Sequence, residues 1–200
     1  IARTQAEIQT NMNTQLAGTE TGLVGYWDMN RNGQGAGLIV DNEATATGAA
    51  LNGTTLGTGS TPVFAPAVAQ QAPGSGNALS FDGVDDFISI PNGGALNGLQ
   101  SGTFECWVKY DNTTQGELAG NFGCISGRQS DGNFSNQILA LNGPDPNTAS
   151  LKWCAYTYNP TIQTSTSPGT GWNHIAVTYS SGDHKMYMNG VLIGTSNATG

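Results

Sequence analysis

Charge is scarce: Asp, Glu, Lys and Arg make up 10% of the 200 residues. Cations are scarcer still, six against 14 acidic residues, for a formal net charge of −8. Nucleic-acid binding needs clustered Lys and Arg on phosphate, so no nucleic acid is expected as a partner. Long apolar runs are also missing, which leaves no segment for a transmembrane helix, and no membrane insertion is expected. Cysteine is limited to Cys106, Cys124 and Cys154. Three thiols allow one disulfide at most, and no pair has C-x-x-C spacing, so a disulfide-stapled scaffold is excluded. Each cysteine sits in an apolar strand pattern and reads as a buried free thiol. Residue 1 is Ile, and no charged stretch followed by an apolar core marks a signal peptide. The chain therefore reads as a mature product or a piece of something longer.

Turn formers are plentiful, with 29 glycines and eight prolines, and Asn and Thr are abundant. Hydrophobic residues still reach 37%, with four Trp, enough for a core. This is the composition of a turn-rich, all-β extracellular domain.

The first 18 residues stand apart. Thr4 and Glu7 form a T-x-x-E capping box, which satisfies two amide donors at a helix start. Ile1, Ile8, Met12 and Leu16 make one apolar stripe, and Gly18 is a natural stop. The pattern predicts a short amphipathic helix over 5–17, docked by its stripe.

From Leu23 the period becomes two. Strands are predicted at 23–29, 103–110, 122–128, 136–142, 151–158, 172–180, 185–188 and 191–194, with short pieces at 38–40 and 63–64. Residues 77–83 and 86–91 read as a hairpin around Gly83-Val84-Asp85. Phe104, Cys106 and Val108 face one side of their strand, and Trp107 the other. Asn189-Gly190 is a type I′ turn signal, since both residues accept a positive φ. The fold class expected is all-β: a two-sheet antiparallel jelly-roll sandwich with one short N-terminal amphipathic helix. Phe81, Phe104, Val108, Trp172, Ile175 and Val177 are its expected core.

Four segments in order, "GLVGYWDMN" (22–30), "NALSFDGVDDFISIP" (77–91), "GTFECWVK" (102–109) and "GWNHIAVTYSSGDHKMYMNGVLIG" (171–194), resemble laminin G-like jelly rolls of the concanavalin A-like lectin/glucanase superfamily, related to pentraxins. The resemblance spans roughly 22–195. "ARTQAEIQTNMNTQLAGTETGLVGYW" (2–27) resembles the junction between tandem domains in large bacterial surface proteins, many from Bacteroidota. It implies that 1–21 are a closing helix and linker from a preceding repeat. Residues 22–200 would then be a laminin G-like jelly roll lacking its last strands. On that reading the sheet edge beside Leu23–Met29 is open, to be completed by polypeptide outside these residues, such as an adjacent repeat or subunit. The stripe of Ile8, Met12 and Leu16 would pack on that neighbour.

No catalytic constellation is legible. His174 lies inside a strand and reads as a packed structural histidine, His184 is ten residues away, and Ser80 is not in a nucleophile elbow. Glycosidases need two carboxylates facing across about 5–10 Å. The superfamily's glucanases carry a pattern like E-x-D-x-x-E, which is not found here. Glu105 has no same-face carboxylate partner on its own strand, so the chain is not read as an enzyme. Calcium is the better chemistry, because it takes six to eight hard oxygens, often from loop Asp and Asn. One candidate set is Asp131 and Asn133, at positions where the resembling families bind calcium. The other is the turn at 82–86, with Asp82 and Asp85 as the named ligands beside Asp86. The alternative for both is a solvated turn. Tyr156 and Tyr158, two apart on one strand, are the candidate platform for a sugar ring, with core packing as the alternative.

The leading functional reading is a non-catalytic adhesion or structural module of a large secreted or cell-surface bacterial protein, with a rim site for glycan or protein. The rival is a carbohydrate-binding module appended to a polysaccharide-degrading enzyme. The parent sequence separates them: repeats of the junction favour the first, a neighbouring hydrolase the second.

Overall fold

The computed structural model describes residues 1–58, 62–66, 76–82, 85–91, 94–96, 99–109, 122–130, 133–142, 150–153, 162–167, 169–180 and 182–197. One helix, α1 (Gln5–Asn11), precedes the strands β1 (Gly33–Gln34), β2 (Ile39–Val40), β3 (Gly53–Leu56), β4 (Val63–Pro66), β5 (Asn77–Ser80), β6 (Phe87–Ser89) and β7 (Ser101–Lys109). Seven more follow: β8 (Phe122–Ser130), β9 (Asn133–Asn142), β10 (Ser150–Trp153), β11 (Ile162–Gln163), β12 (Trp172–Ser180), β13 (Asp183–Met188) and β14 (Val191–Asn197). The described pairings are all antiparallel. The all-β, antiparallel class expected from the sequence is the class found. The chain forms two compact units, one of residues 1–12 with 100–200, the other of residues 13–99.

The first unit holds two four-stranded sheets, ordered β14-β13-β12-β7 and β11-β10-β9-β8. Alternation sorts the first sheet's side chains. Ile175 and Val177 of β12 and Met186 of β13 point inward and meet Ile162 of β11, from the other sheet. Phe104, Cys106 and Val108 of β7 pack on the same cluster, as their two-residue spacing predicts. Burial pushes the Cys106 thiol up to about 12, so it is a free, inert thiol. Asn189 (φ 51°) and Gly190 (φ 74°) make the left-handed turn between β13 and β14.

The helix is shorter than its stripe suggests. The capping box forms: Glu7 N–H donates to the Thr4 hydroxyl, and Thr4 N–H to the Glu7 carboxylate. The helix ends at Asn11, not Ala17, and the Met12 carbonyl, beyond the last turn, accepts from the Trp107 indole at 2.9 Å. Ile8 is fully buried against Ala176 and Tyr187 of this chain's own sheet. The expected packing on a preceding domain or neighbouring chain is thereby corrected for Ile8. Gly18, expected as the helix stop, serves the other unit. Its φ of 80° and its approach to the Glu43 carbonyl leave no room for a Cβ.

The second unit holds two three-stranded sheets, β1-β4-β5 and β2-β3-β6. Three expectations fail here. Residues 23–29 are not a strand. Tyr26 N–H donates to the Asn42 side chain (2.8 Å), the Tyr26 carbonyl accepts from Glu43 N–H (2.7 Å), and the Val24 carbonyl accepts from Thr47 (2.6 Å). Those three groups are satisfied by loop partners and not by a neighbouring strand. Residues 77–83 and 86–91 do not form a hairpin: β5 pairs with β4, and β6 with β3. The Asp86 carboxylate takes the Asp82 N–H at 2.9 Å, closing the turn by a side chain while each strand finds another partner. Phe81, expected in the core, is 47% exposed, since β5 ends at Ser80 and the alternation stops there.

Candidate functional site

Asp82, Asp85 and Asp86 converge at this turn, each offering a carboxylate oxygen within 4.8 Å of the others. Asp85 is held by Thr58, whose amide lies 3.1 Å from both carboxylate oxygens and whose hydroxyl also donates to it. Those bonds, the hydroxyl first, hold its carboxyl below the usual range. Asp86 goes the other way. Desolvation and the charges of Asp82 and Asp85 raise it, against the Asp82 amide bond that lowers it. Its Oδ1 is buried with no hydrogen-bond partner among the described residues. An acceptor left bare beside two like charges suits a bound cation, whose charge relieves all three carboxylates.

The other candidates are differently placed. Asn133 is the first residue of β9, opposite Ser130 of β8. Asp131, Tyr156, Tyr158 and Cys154 lie outside the described residues, and for Cys124 only the backbone, in β8, is described.

A second cluster was not legible in the sequence. On the outer face of the β14-β13-β12-β7 sheet, Glu105 forms an ion pair with Arg3, a partner 102 residues away. His174 is 3% exposed, with Nε2 3.5 Å from the second Glu105 oxygen. Its ring meets Trp107 edge-on, centroids 5.5 Å apart. Burial first, and the Arg3 charge second, lower the imidazole to about 4, leaving it neutral at physiological pH. The packed strand histidine expected from the sequence is what stands here. Burial raises the Glu105 carboxyl, and Arg3 opposes that. The sequence signal was faint: Glu105 is an acid inside an apolar strand, and Arg3 is one of only six cations.

A family model described as the concanavalin A-like lectin/glucanases superfamily matches residues 82–200, which include the acidic turn and most of the first unit. The chain belongs to this superfamily. The matching model is a laminin G-like one, so this concanavalin A-like chain is a laminin G-like jelly roll of the carbohydrate- or protein-binding kind. Domains of this kind are commonly extracellular and often non-catalytic. No curated protein and no solved structure gives a significant match. No helix among the described residues is long and apolar enough to cross a membrane.

Proposed function

We propose that this chain is a non-catalytic adhesion or structural module of a large secreted or cell-surface bacterial protein. It binds glycan or protein at a cation-dependent rim site. On this reading residues 1–21 link from a preceding repeat and 22–200 form the laminin G-like domain of a tandem array. Superfamily membership supports a binding module, and the convergence of Asp82, Asp85 and Asp86 carries the site. These three carboxylates would hold calcium, with Asp131 and Asn133 as a separate candidate set. Bound calcium supplies a positive centre for hydroxyl or carboxylate oxygens of a ligand.

Calcium titration by calorimetry, followed by a glycan array with and without EDTA, tests the reading. Saturable calcium binding that is lost in Asp85→Asn, with calcium-dependent glycan retention, supports it. Hydrolysis of an arrayed polysaccharide, or glycan and calcium binding both absent, overturns it.

A further inference from the structure

Residues 1–12 lie across the outer face of the β14-β13-β12-β7 sheet, and their anchors are few and specific. The Arg3 amide donates to the Thr103 hydroxyl (2.8 Å), which donates to the Ile1 carbonyl (3.1 Å). Gln5 and Gln9 both donate to the Gly190 carbonyl, at 2.9 and 2.8 Å. Trp107 holds the Met12 carbonyl, Ile8 is buried, and Arg3 pairs with Glu105. Beneath this segment lies His174.

Burial and the Arg3 charge make the surroundings of His174 favour the neutral ring. An imidazolium donates from both nitrogens. Nε2 faces Glu105 at 3.5 Å, but Nδ1 is buried and meets no hydrogen-bond partner among the described residues. One oxygen of the Glu105 carboxylate pairs with the Arg3 guanidinium, and the other, the Oε2 that faces Nε2, is buried without a hydrogen-bond partner among the described residues. A second cation here is desolvated, short of an acceptor at Nδ1 and repelled by the first. Lifting residues 1–12 removes Arg3 and admits water to the ring. We propose that residues 1–12 are a strap over this sheet that is closed while His174 is neutral and released when His174 takes up a proton.

The sign follows from linkage. With the strap closed, burial first and the Arg3 charge second lower the imidazole from 6.5 to about 4. The strap's stabilisation is therefore complete above the ordinary value and is lost as pH falls from 6.5 through 4. The closed-to-open ratio drops by up to about 300-fold across that window. The other groups facing the cluster act differently. Glu105 on β7 is raised by burial while Arg3 lowers it, and its protonation weakens the ion pair that anchors Arg3. Glu7 on α1 is lowered by its bonds to Thr4, so its protonation loosens the capping box. On β13, Lys185 and Asp183 pair with each other.

The test is an NMR titration of the full chain from pH 7 to pH 3.5. It follows the two histidine rings, assigned with His184→Gln, together with the backbone amides. The wild-type His174 ring should titrate at a midpoint between its closed value of about 4 and the ordinary 6.5, set by the stability of the closed strap. Amides 3–11 should move to unstructured positions at the same midpoint, while those of β12 and β13 stay in place. In His174→Gln the strap amides should hold their positions down to pH 4. Ile8→Ala weakens the strap without touching the ring, so the His174 midpoint should climb toward 6.5 and strap release should follow it. Ile8→Ala carries the test if His174→Gln does not fold. Strap amides that stay put through the His174 titration overturn the proposal. So does release in His174→Gln at the wild-type pH, or unfolding of the whole chain at the His174 midpoint.

Discussion

Strand β12 and the segment 23–29 were read from the sequence by the same rule, and only one became a strand. β12 runs nine residues and buries six in succession, Asn173 to Thr178, between the apolar core on one side and the N-terminal segment on the other. Both neighbouring strands, β7 and β13, pair with it through most of its length. Segment 23–29 has comparable apolar content but no ladder. Its backbone is held by Asn42, Glu43 and Thr47, and the Trp27 indole by the Leu51 carbonyl. Alternating apolar residues make a strand only where a neighbour offers a continuous row of donors and acceptors. Where polar side chains offer the same bonds singly, the chain can satisfy itself without a ladder.

Removing apolar volume from β12 should give the largest effect. Ile175→Ala leaves a cavity among Ile162, Val177 and Met186 and should cost about 3–4 kcal/mol in denaturant unfolding. A loss below about 1 kcal/mol would mean that this cluster is not the core. Asn42→Ala attacks the other style of construction. Asn42 is buried, accepts from the Tyr26 and Ala44 amides, and donates to Thr47 and Gly48. Its loss orphans several groups and should cost about 2–3 kcal/mol. Hydrogen exchange should quicken in 23–52 before it does in β12. Equal quickening in both would erase the contrast between the two regions.

A smaller effect is expected at the helix. Thr4→Ala removes the capping hydroxyl and should cost about 1 kcal/mol, read as faster exchange at Glu7 and Ile8. The smallest is Asp85→Asn without calcium, which should unfold close to wild type, since Asp85 is a surface group. Its effect should appear on adding calcium, which raises the melting temperature of wild type but not of the variant. A calcium-dependent rise retained in Asp85→Asn would move the site away from this turn.

The legible part of the fold was the part in which one residue type repeats on one face. Phe104, Cys106 and Val108 declared their face by spacing alone, and Asn189-Gly190 declared its turn by backbone preference. The capping box was equally plain, because its two residues are three apart and bond each other. The acidic turn was legible as composition, three aspartates within five residues, though not as geometry. The Thr58 bonds that set Asp85 apart from Asp86 come from 27 positions away. Phe81 was misplaced because alternation does not say where a strand ends.

Sequence by itself determined the class of the protein: scarce charge, abundant turn formers and period-two apolar spacing leave an antiparallel β domain, and its motifs point to the superfamily. Tertiary structure decided which strands pair, where the helix stops and what lies beneath it. Pairing depends on which partners the fold sets beside each backbone edge, as β5 and β6 show by pairing with β4 and β3 and not with each other. The Arg3–Glu105–His174 cluster depends on contacts across about a hundred residues. No local pattern encodes such contacts, because their stabilisation exists only once the sheet has brought the partners within reach and excluded water around them.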